Sequence, residues 1–410
     1  MKCGLLGRHL AHSYSPQIHS FLGEYPYGIF EQEPDDVADF IKNGDYTGIN
    51  VTIPYKKTVI PFLDKLTETA KKMGAVNTIV HRDGMLIGHN TDYFGFASMV
   101  KKSGLSVAGK KVLVLGSGGA SNTAVAVLRE MGAEVVIISR SGENNYENLH
   151  LHSDAAVIIN ATPVGMYPNT GISPVELEVF PNLEGVLDII YNPARTKLLL
   201  DAENRGLVTE NGLWMLVAQA KESAEWFTGK AISDEMIGTI HRALKAQMEN
   251  IILVGMPGCG KSTIATLLSA SLGRPVVDAD MEIQREAGCT IPEIFATGGE
   301  DAFRSLESVV LGKLGKESGS IIATGGGCVT RERNYPLLHQ NGKIIWLQRD
   351  IDQLPTDGRP LSADGKLHQM YAIREPLYRR FADYTVSNNT TPEETVQKIL
   401  LLLGAEGGTP

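Results

Sequence analysis

The eight residues Gly255-Met256-Pro257-Gly258-Cys259-Gly260-Lys261-Ser262 carry the spacing G-x-x-x-x-G-K-S. In such a loop the backbone N–H groups surround a β-phosphate, the lysine reaches the β/γ oxygens and the serine ligates Mg²⁺. Gly258, Cys259, Gly260, Lys261, Ser262 and Thr263 are therefore the candidate ATP contacts, with Ser262 a candidate metal ligand. A chance glycine-rich turn is the bland alternative. Against it stand the apolar run 251–254 (IILV) before the loop and the periodic Ile264, Leu267 and Leu268 after it. Cys259 reads as a small filler, not a nucleophile. Asp278 and Asp280 follow the apolar pair Val276-Val277. Paired carboxylates there suit magnesium held through water and a hydroxyl proton to be accepted. Arg304, Arg359 and Arg374 follow, with Gly325-Gly326-Gly327 after the run 321–323 (IIA). Any one arginine alone would be read as a surface ion pair. Several around one phosphate loop fit an anionic acceptor and a charged transition state.

A second glycine-rich turn, Gly116-Ser117-Gly118-Gly119-Ala120, follows the run 112–115 (VLVL). It is a compressed dinucleotide fingerprint, with a helix N-terminus facing the pyrophosphate. The next strand-like run, 135–138 (VVII), ends in Ser139-Arg140-Ser141. An acidic residue there would take the ribose 2′-hydroxyl of NAD, whereas Arg140 with its flanking hydroxyls suits the 2′-phosphate of NADP. A solvated loop arginine is the competing reading. The N-terminal stretch carries four further motifs. Ser13 and Ser15 stand in HSYSPQIH, Asn50, Thr52 and Lys56 in GINVTIPYK, Asn77 in GAVNT and Asp92 in GHNTD. Such short polar groups are commonly turn or cap residues. Four motifs in this order instead suggest partners for a polyhydroxylated ring. A Lys with an Asp can move a proton at a carbonyl or alcohol while hydride moves on the other face.

The first of these sets resembles shikimate kinase over about residues 250–403. The resemblance implies that Asp280 contacts the acceptor hydroxyls and acts as base, and that Asp278 belongs to the magnesium shell. It implies that Arg304 and Arg374 clamp the shikimate carboxylate and that Gly325, Gly326 and Gly327 line the same pocket. Arg359 would come from a lid to the transferring phosphoryl group. Gluconate kinase and the nucleotide kinases share the loop but not the whole set. The second block resembles shikimate dehydrogenase over about residues 1–245. That resemblance continues in NATPVGM (160–166), DIIY (188–191) and the stretch from Asn211-Gly212 to Gln219-Ala220. It implies Lys56 and Asp92 as the catalytic pair and Ser13 and Ser15 on the carboxylate. Asn50, Thr52, Asn77, Tyr191 and Gln219 would surround the ring. Gly116 to Ala120, Ser139, Arg140, Thr162, Gly212 and Met215 would line NADP(H). Three positions depart from the family pattern. Ser117 replaces the alanine of GAGGA, Ser139-Arg140-Ser141 replaces Asn-Arg-Thr, and residues 141–154 are short and polar where a crossover helix is expected.

Positioning these groups calls for an α/β protein. The expected architecture is a substrate-binding α/β domain plus a Rossmann-like NADP domain, then a P-loop kinase domain with a parallel sheet. The expected boundaries are 1–95 with 209–247, 96–208 and 250–403. Residues 211–247 read as two helices, and no Gly/Ser or Pro linker precedes the run at 251. Thr391-Pro392-Glu393-Glu394 reads as a capping box opening a last helix, with the tail AEGGTP frayed. The 410 residues carry a net charge of −9, which argues against nucleic acid as a partner. Cys3, Cys259, Cys289 and Cys328 are scattered, as free thiols in a reducing cytoplasm would be. Neither a signal peptide nor a membrane span is expected. The oligomeric state is left open, a homodimer included. The two resemblances together imply reduction of 3-dehydroshikimate with NADPH, then phosphorylation of shikimate with Mg-ATP. The rival readings are a quinate-type dehydrogenase fused to another small-metabolite kinase, and one degenerate half with a regulatory role.

Overall fold

The computed structural model describes residues 1–10, 13–354 and 366–407, which leaves Arg359 outside the described residues. The chain divides into two compact units. One comprises Met1–Val164, Ser173–Tyr191 and Asp201–His241, and the other Gly165–Ile172, Asn192–Leu200 and Arg242–Pro410. The second unit thus takes in two segments from within the stretch expected to form the dinucleotide domain.

The first unit holds two sheets. β1 (Cys3–Gly7), β2 (Tyr27–Glu31), β3 (Gly48–Val51), β4 (Lys65–Leu66), β5 (Thr78–Arg82) and β6 (Met85–His89) form one, in the order β2-β1-β3-β5-β6-β4. β1, β2 and β3 are parallel, while β5 runs antiparallel to both β3 and β6. The sheet is therefore mixed, where the strand–helix alternation suggested mostly parallel pairing. The reason is local: Asp83, at φ +53, and Gly84, at φ +76, turn β5 directly into β6 as a hairpin. Leu6, Ile41, Ile49, Val51, Tyr55 and Ile79 close the core of this layer.

The second sheet is wholly parallel, in the order β11-β10-β9-β7-β8. Its strands are β7 (Lys111–Leu115), β8 (Glu134–Ile138), β9 (Val157–Asn160), β10 (Gly185–Asp188) and β11 (Val208–Glu210). β7, β9 and β10 are buried almost throughout, as strands covered on both faces must be. Between β8 and β9 there is no α-helix, only the single 3-10 turn Leu149–His152. The polar stretch after β8 folds on its own side chains instead. Asn145 N–H donates to Asn148 Oδ1 at 2.8 Å, Asn148 Nδ2 to the Glu143 carbonyl at 2.9 Å, and His152 Nε2 meets Asn144 Oδ1 at 2.9 Å. The two expected helices at 211–247 are Leu213–Thr228 and Glu235–Met248.

In the second unit β12 (Asn250–Val254), β13 (Val276–Asp278), β14 (Ile321–Ala323), β15 (Gly342–Gln348) and β16 (Tyr384–Ser387) make a parallel sheet in the order β13-β14-β12-β15-β16. Ile252, Leu253, Ile322, Ile345, Trp346 and Tyr378 are central to its core. The last helix runs Pro392–Gly407, and Thr391 Oγ1 accepts from Glu394 N–H at its start. It runs three residues into the AEGGTP tail, where the sequence suggested fraying. All four cysteines are free. Among the described residues no helix is long and apolar enough to cross a membrane.

Candidate active sites

In each parallel sheet the functional residues sit past the carboxyl ends of the strands, where a doubly wound sheet opens a crevice. Gly116 follows β7, Ser139 follows β8, Thr162 follows β9, Tyr191 follows β10 and Gly212 follows β11. In the mixed sheet Asn50 lies in β3, Thr52 and Lys56 follow it, Asn77 precedes β5 and Asp92 follows β6.

The residues from the mixed sheet meet Tyr191 and Gly212 at a cavity of about 860 Å³, whose wall does not include Gly116, Ser139 or Thr162. Its wall includes Ser13, Ser15, Asn50, Thr52, Lys56, Asn77, Asp92, Tyr191 and Gln219, together with Gly212 and Met215. Lys56 Nζ donates to Asp92 Oδ2 at 2.6 Å, with both side chains only partly exposed. Asp92 opens the Asp92–Ser103 helix, and the residue before it is pinned: Thr91 N–H donates to Asn77 Oδ1 at 2.7 Å. Tyr27 Oη donates to Asn50 Oδ1 at 2.7 Å and also meets Ser15. Burial pushes the Tyr27 phenol well above its usual range, and the His19 ring stacked on it at 4.0 Å is pushed down to about 3 by burial. Both groups are therefore uncharged hydrogen-bonding groups at neutral pH. Sequence reasoning missed Tyr27, Thr91, Ile189 and Leu216. Thr91 lies in GHNTD, Ile189 in DIIY and Leu216 in the stretch 211–220, but nothing local in the sequence marks Tyr27.

The dinucleotide turn fits its ligand. Gly116 adopts φ +108, a conformation that disfavours side chains, and a β-carbon there would press on the Ala161 carbonyl. Around Gly118 and Gly119 nothing lies within 4 Å of such an atom, so a pyrophosphate can approach the start of the Gly119–Glu130 helix. Ser117, Ala120 and Arg140 are exposed. Thr162 Oγ1 donates to Asn160 Oδ1 at 2.7 Å, which fixes the loop after β9.

The second unit assembles the other site. Gly260, at φ +98, precedes the Lys261–Leu272 helix, whose first turn carries Ser262 and Thr263. Lys261 Nζ rests on the carbonyls of Gly255, at 2.9 Å, and Met256, at 3.1 Å. Cys259 is fully buried within the loop, consistent with a filler role. Asn388, past β16, donates to the Cys259 carbonyl at 2.6 Å and braces the loop from behind. Ser262 Oγ lies 3.3 Å from Asp278 Oδ2. These two oxygens fit Mg²⁺, which takes few protein ligands beside phosphates and water. Asp278 also accepts from the N–H groups of Asp280 and Met281, capping the Ala279–Ala287 helix. Burial, then the neighbouring Asp278 carboxylate, raises the Asp280 pKa above the ordinary aspartate value. Arg304 is buried and donates to Glu307 Oε2 at 2.8 Å and to Glu300 at 3.3 Å. Arg374 Nη1 donates to the Gly326 carbonyl at 3.2 Å. A β-carbon on Gly327 would fall inside the Arg304 guanidinium, so the glycine run is what lets that arginine close on the loop. Glu307, nearly inaccessible and pushed up by burial, was not singled out from sequence. Its spacing of three from Arg304 on one helix was the available signal.

Known families match both halves. A Clostridium perfringens shikimate dehydrogenase (NADP(+)) is 35% identical over 267 residues, which is 60% of this chain and 98% of that protein. This chain belongs to the shikimate dehydrogenase family. The family's substrate-binding-domain model matches residues 5–79. Among solved family members, shikimate dehydrogenase 1 from Peptoclostridium difficile is 39% identical with a TM-score of 0.55, covering 59% of this chain and 97% of that one. A chorismate mutase/shikimate 5-dehydrogenase fusion from Clostridium acetobutylicum is 35% identical with a TM-score of 0.57, covering 60% and 97%. Beyond the part shared with these dehydrogenases, residues 257–403 match the shikimate kinase model, so the family fold is here joined to a shikimate kinase domain.

Proposed function

We propose that this chain is a bifunctional enzyme of the shikimate pathway. Its first half reduces 3-dehydroshikimate to shikimate with NADPH, and its second half phosphorylates shikimate on the 3-hydroxyl with Mg-ATP. The observation that carries the reading is the Lys56–Asp92 contact inside a cavity walled by hydroxyls and amides, on the same chain as a complete triphosphate loop ringed by Asp280, Arg304 and Arg374. The division into 1–95 with 209–247, 96–208 and 250–403 goes with it.

In the first site Ser13 and Ser15 hold the carboxylate, while Asn50, Thr52, Asn77, Tyr191 and Gln219 orient the ring. NADPH, when bound over Gly116 to Ala120 with Ser139 and Arg140 at its 2′-phosphate and Thr162, Gly212 and Met215 along it, supplies the hydride. Lys56 gives its proton to the carbonyl oxygen as negative charge develops there, and Asp92 holds the ammonium in place. In the second site Asp280 orients the acceptor hydroxyl and takes its proton. Lys261 and the loop N–H groups stabilise the charge spreading over the phosphoryl oxygens. Ser262 and Asp278 would hold Mg²⁺, which would offset phosphate charge. Arg304 and Arg374 bind the carboxylate, and Gly325, Gly326 and Gly327 line the pocket. Arg359 has the lid role, though it lies outside the described residues.

The test is to measure each reaction separately on the purified full chain, with shikimate and quinate compared as substrates for NADP⁺-dependent oxidation. Both activities are expected, with shikimate preferred. A clear preference for quinate would overturn the substrate assignment, and one inert half would overturn bifunctionality.

A further inference from the structure

We infer that Ser223, which does not line the cavity, is a positioning residue for the hydroxy-acid site; the inference rests on the dehydrogenase reading above. Ser223 is fully buried on the Leu213–Thr228 helix, one turn beyond Gln219. Its Oγ lies 2.8 Å from Asn50 Nδ2, 2.9 Å from Thr78 Oγ1, 3.0 Å from Thr91 Oγ1 and 2.9 Å from the Gln219 carbonyl. A hydroxyl has one proton and two lone pairs, so it can satisfy three of these four at once. The partners come from β3, β5, the turn after β6 and the helix itself. They are the supports of the ring-binding wall: Asn50 and Gln219 line the cavity, and Thr78 and Thr91 both bond Asn77 Oδ1.

The consequence concerns the Asn50 amide. Its two ends differ chemically, so a substrate hydroxyl reads a different partner if the group turns over. Tyr27 fixes the oxygen end at 2.7 Å and Ser223 the nitrogen end at 2.8 Å. Without Ser223 the nitrogen keeps only the Thr78 hydroxyl at 3.2 Å and the Asn77 carbonyl at 3.3 Å. The nitrogen end is then held only by these two longer contacts, and the wall's preset pattern of donors and acceptors loosens. Because Lys56 and Asp92 are bonded to neither group, substrate binding suffers more than the chemical step.

The test uses the full chain, with its thermal unfolding and KM for NADP⁺ as the check on folding of the first unit. Ser223→Ala should raise KM for shikimate in NADP⁺-dependent oxidation about tenfold, with kcat, KM for NADP⁺ and kinase turnover each within about twofold. In an Asn50→Ala background the same change should add less than about twofold, because the group it acts through is gone. Ser223→Cys, close in size but a weak hydrogen-bonding group, should move KM in the same direction and covers the case in which the alanine variant misfolds. An unchanged KM in these variants, or a full tenfold penalty repeated without Asn50, overturns the hub. A parent chain inert in oxidation would instead bring down the dehydrogenase reading, and this inference with it.

Discussion

The two sites handle charge in opposite ways. In the dehydrogenase cavity the ion pair of Lys56 with Asp92 is already formed, in the arrangement proposed for the chemistry, and neutral hydroxyls and amides supply much of the remaining polar wall. In the kinase site the cations are engaged elsewhere: Lys261 on carbonyls of its own loop, Arg304 on Glu307 and Glu300. A site for a singly charged acid can be set in advance by hydroxyls and amides. A site for a triphosphate needs several positive groups close together, and here each is matched by an acceptor of the protein itself; on the proposed reading phosphate oxygens and the substrate carboxylate would take those acceptors' place.

The strongest way to break this comparison is to remove one lysine at a time. Lys261→Ala should lower phosphorylation by about 10³-fold or more while reduction stays near its parent rate. Lys56→Ala should do the reverse, by about 10²–10⁴-fold. Rates of both reactions on each folded variant check it, and loss of both activities from either change would end the two-site description. A smaller effect separates the arginine from its loop. Gly327→Ala puts a methyl where the Arg304 guanidinium lies, so KM for shikimate in phosphorylation should rise about 10- to 100-fold, with the reduction unaffected.

Acidity sharpens the contrast further. The raised Asp280 carboxyl binds its proton at a higher pH than an ordinary aspartate, and a base must be unprotonated. Phosphorylation should therefore fall on the acid side earlier than an unperturbed aspartate would allow. Asp278→Asn removes the neighbouring negative charge, so the acid limb of kcat/KM should move to lower pH even as the rate drops. A limb that stays put would show that a different group sets it. The smallest change is expected at the departure from the family turn. Ser117 is exposed, and Ser117→Ala should alter KM for NADPH by less than about twofold.

What the sequence revealed was what short range determines. The triphosphate loop, the glycine-rich turn after β7, the pair at Asp278 and Asp280 and the missing crossover helix after β8 are each set by neighbours in the chain. Of the residues named from sequence for the oxidoreductase pocket, Thr52, Lys56, Asp92 and Tyr191 meet at one cavity because they follow strands, where an α/β sheet places its ligands, while Gln219 reaches it from a helix. What stayed hidden depends on contacts between distant segments. Ser223 is 173 residues from Asn50, and Asn388 is 129 from Cys259. A serine or asparagine inside an otherwise ordinary run does not announce such a partner. The antiparallel β5 was missed for a related reason: Asp83 and Gly84 are a strong hairpin turn, but in an alternating strand–helix pattern they read as one more loop.

The stretch beyond Arg140 has a practical implication. Its asparagines and His152 answer to one another rather than to a helix seated on the sheet. A short surface cassette can therefore be exchanged there with little change to the interior, provided the buried Leu149 is kept. Redox engineering toward a cheaper coenzyme would begin at that cassette and leave the catalytic machinery untouched.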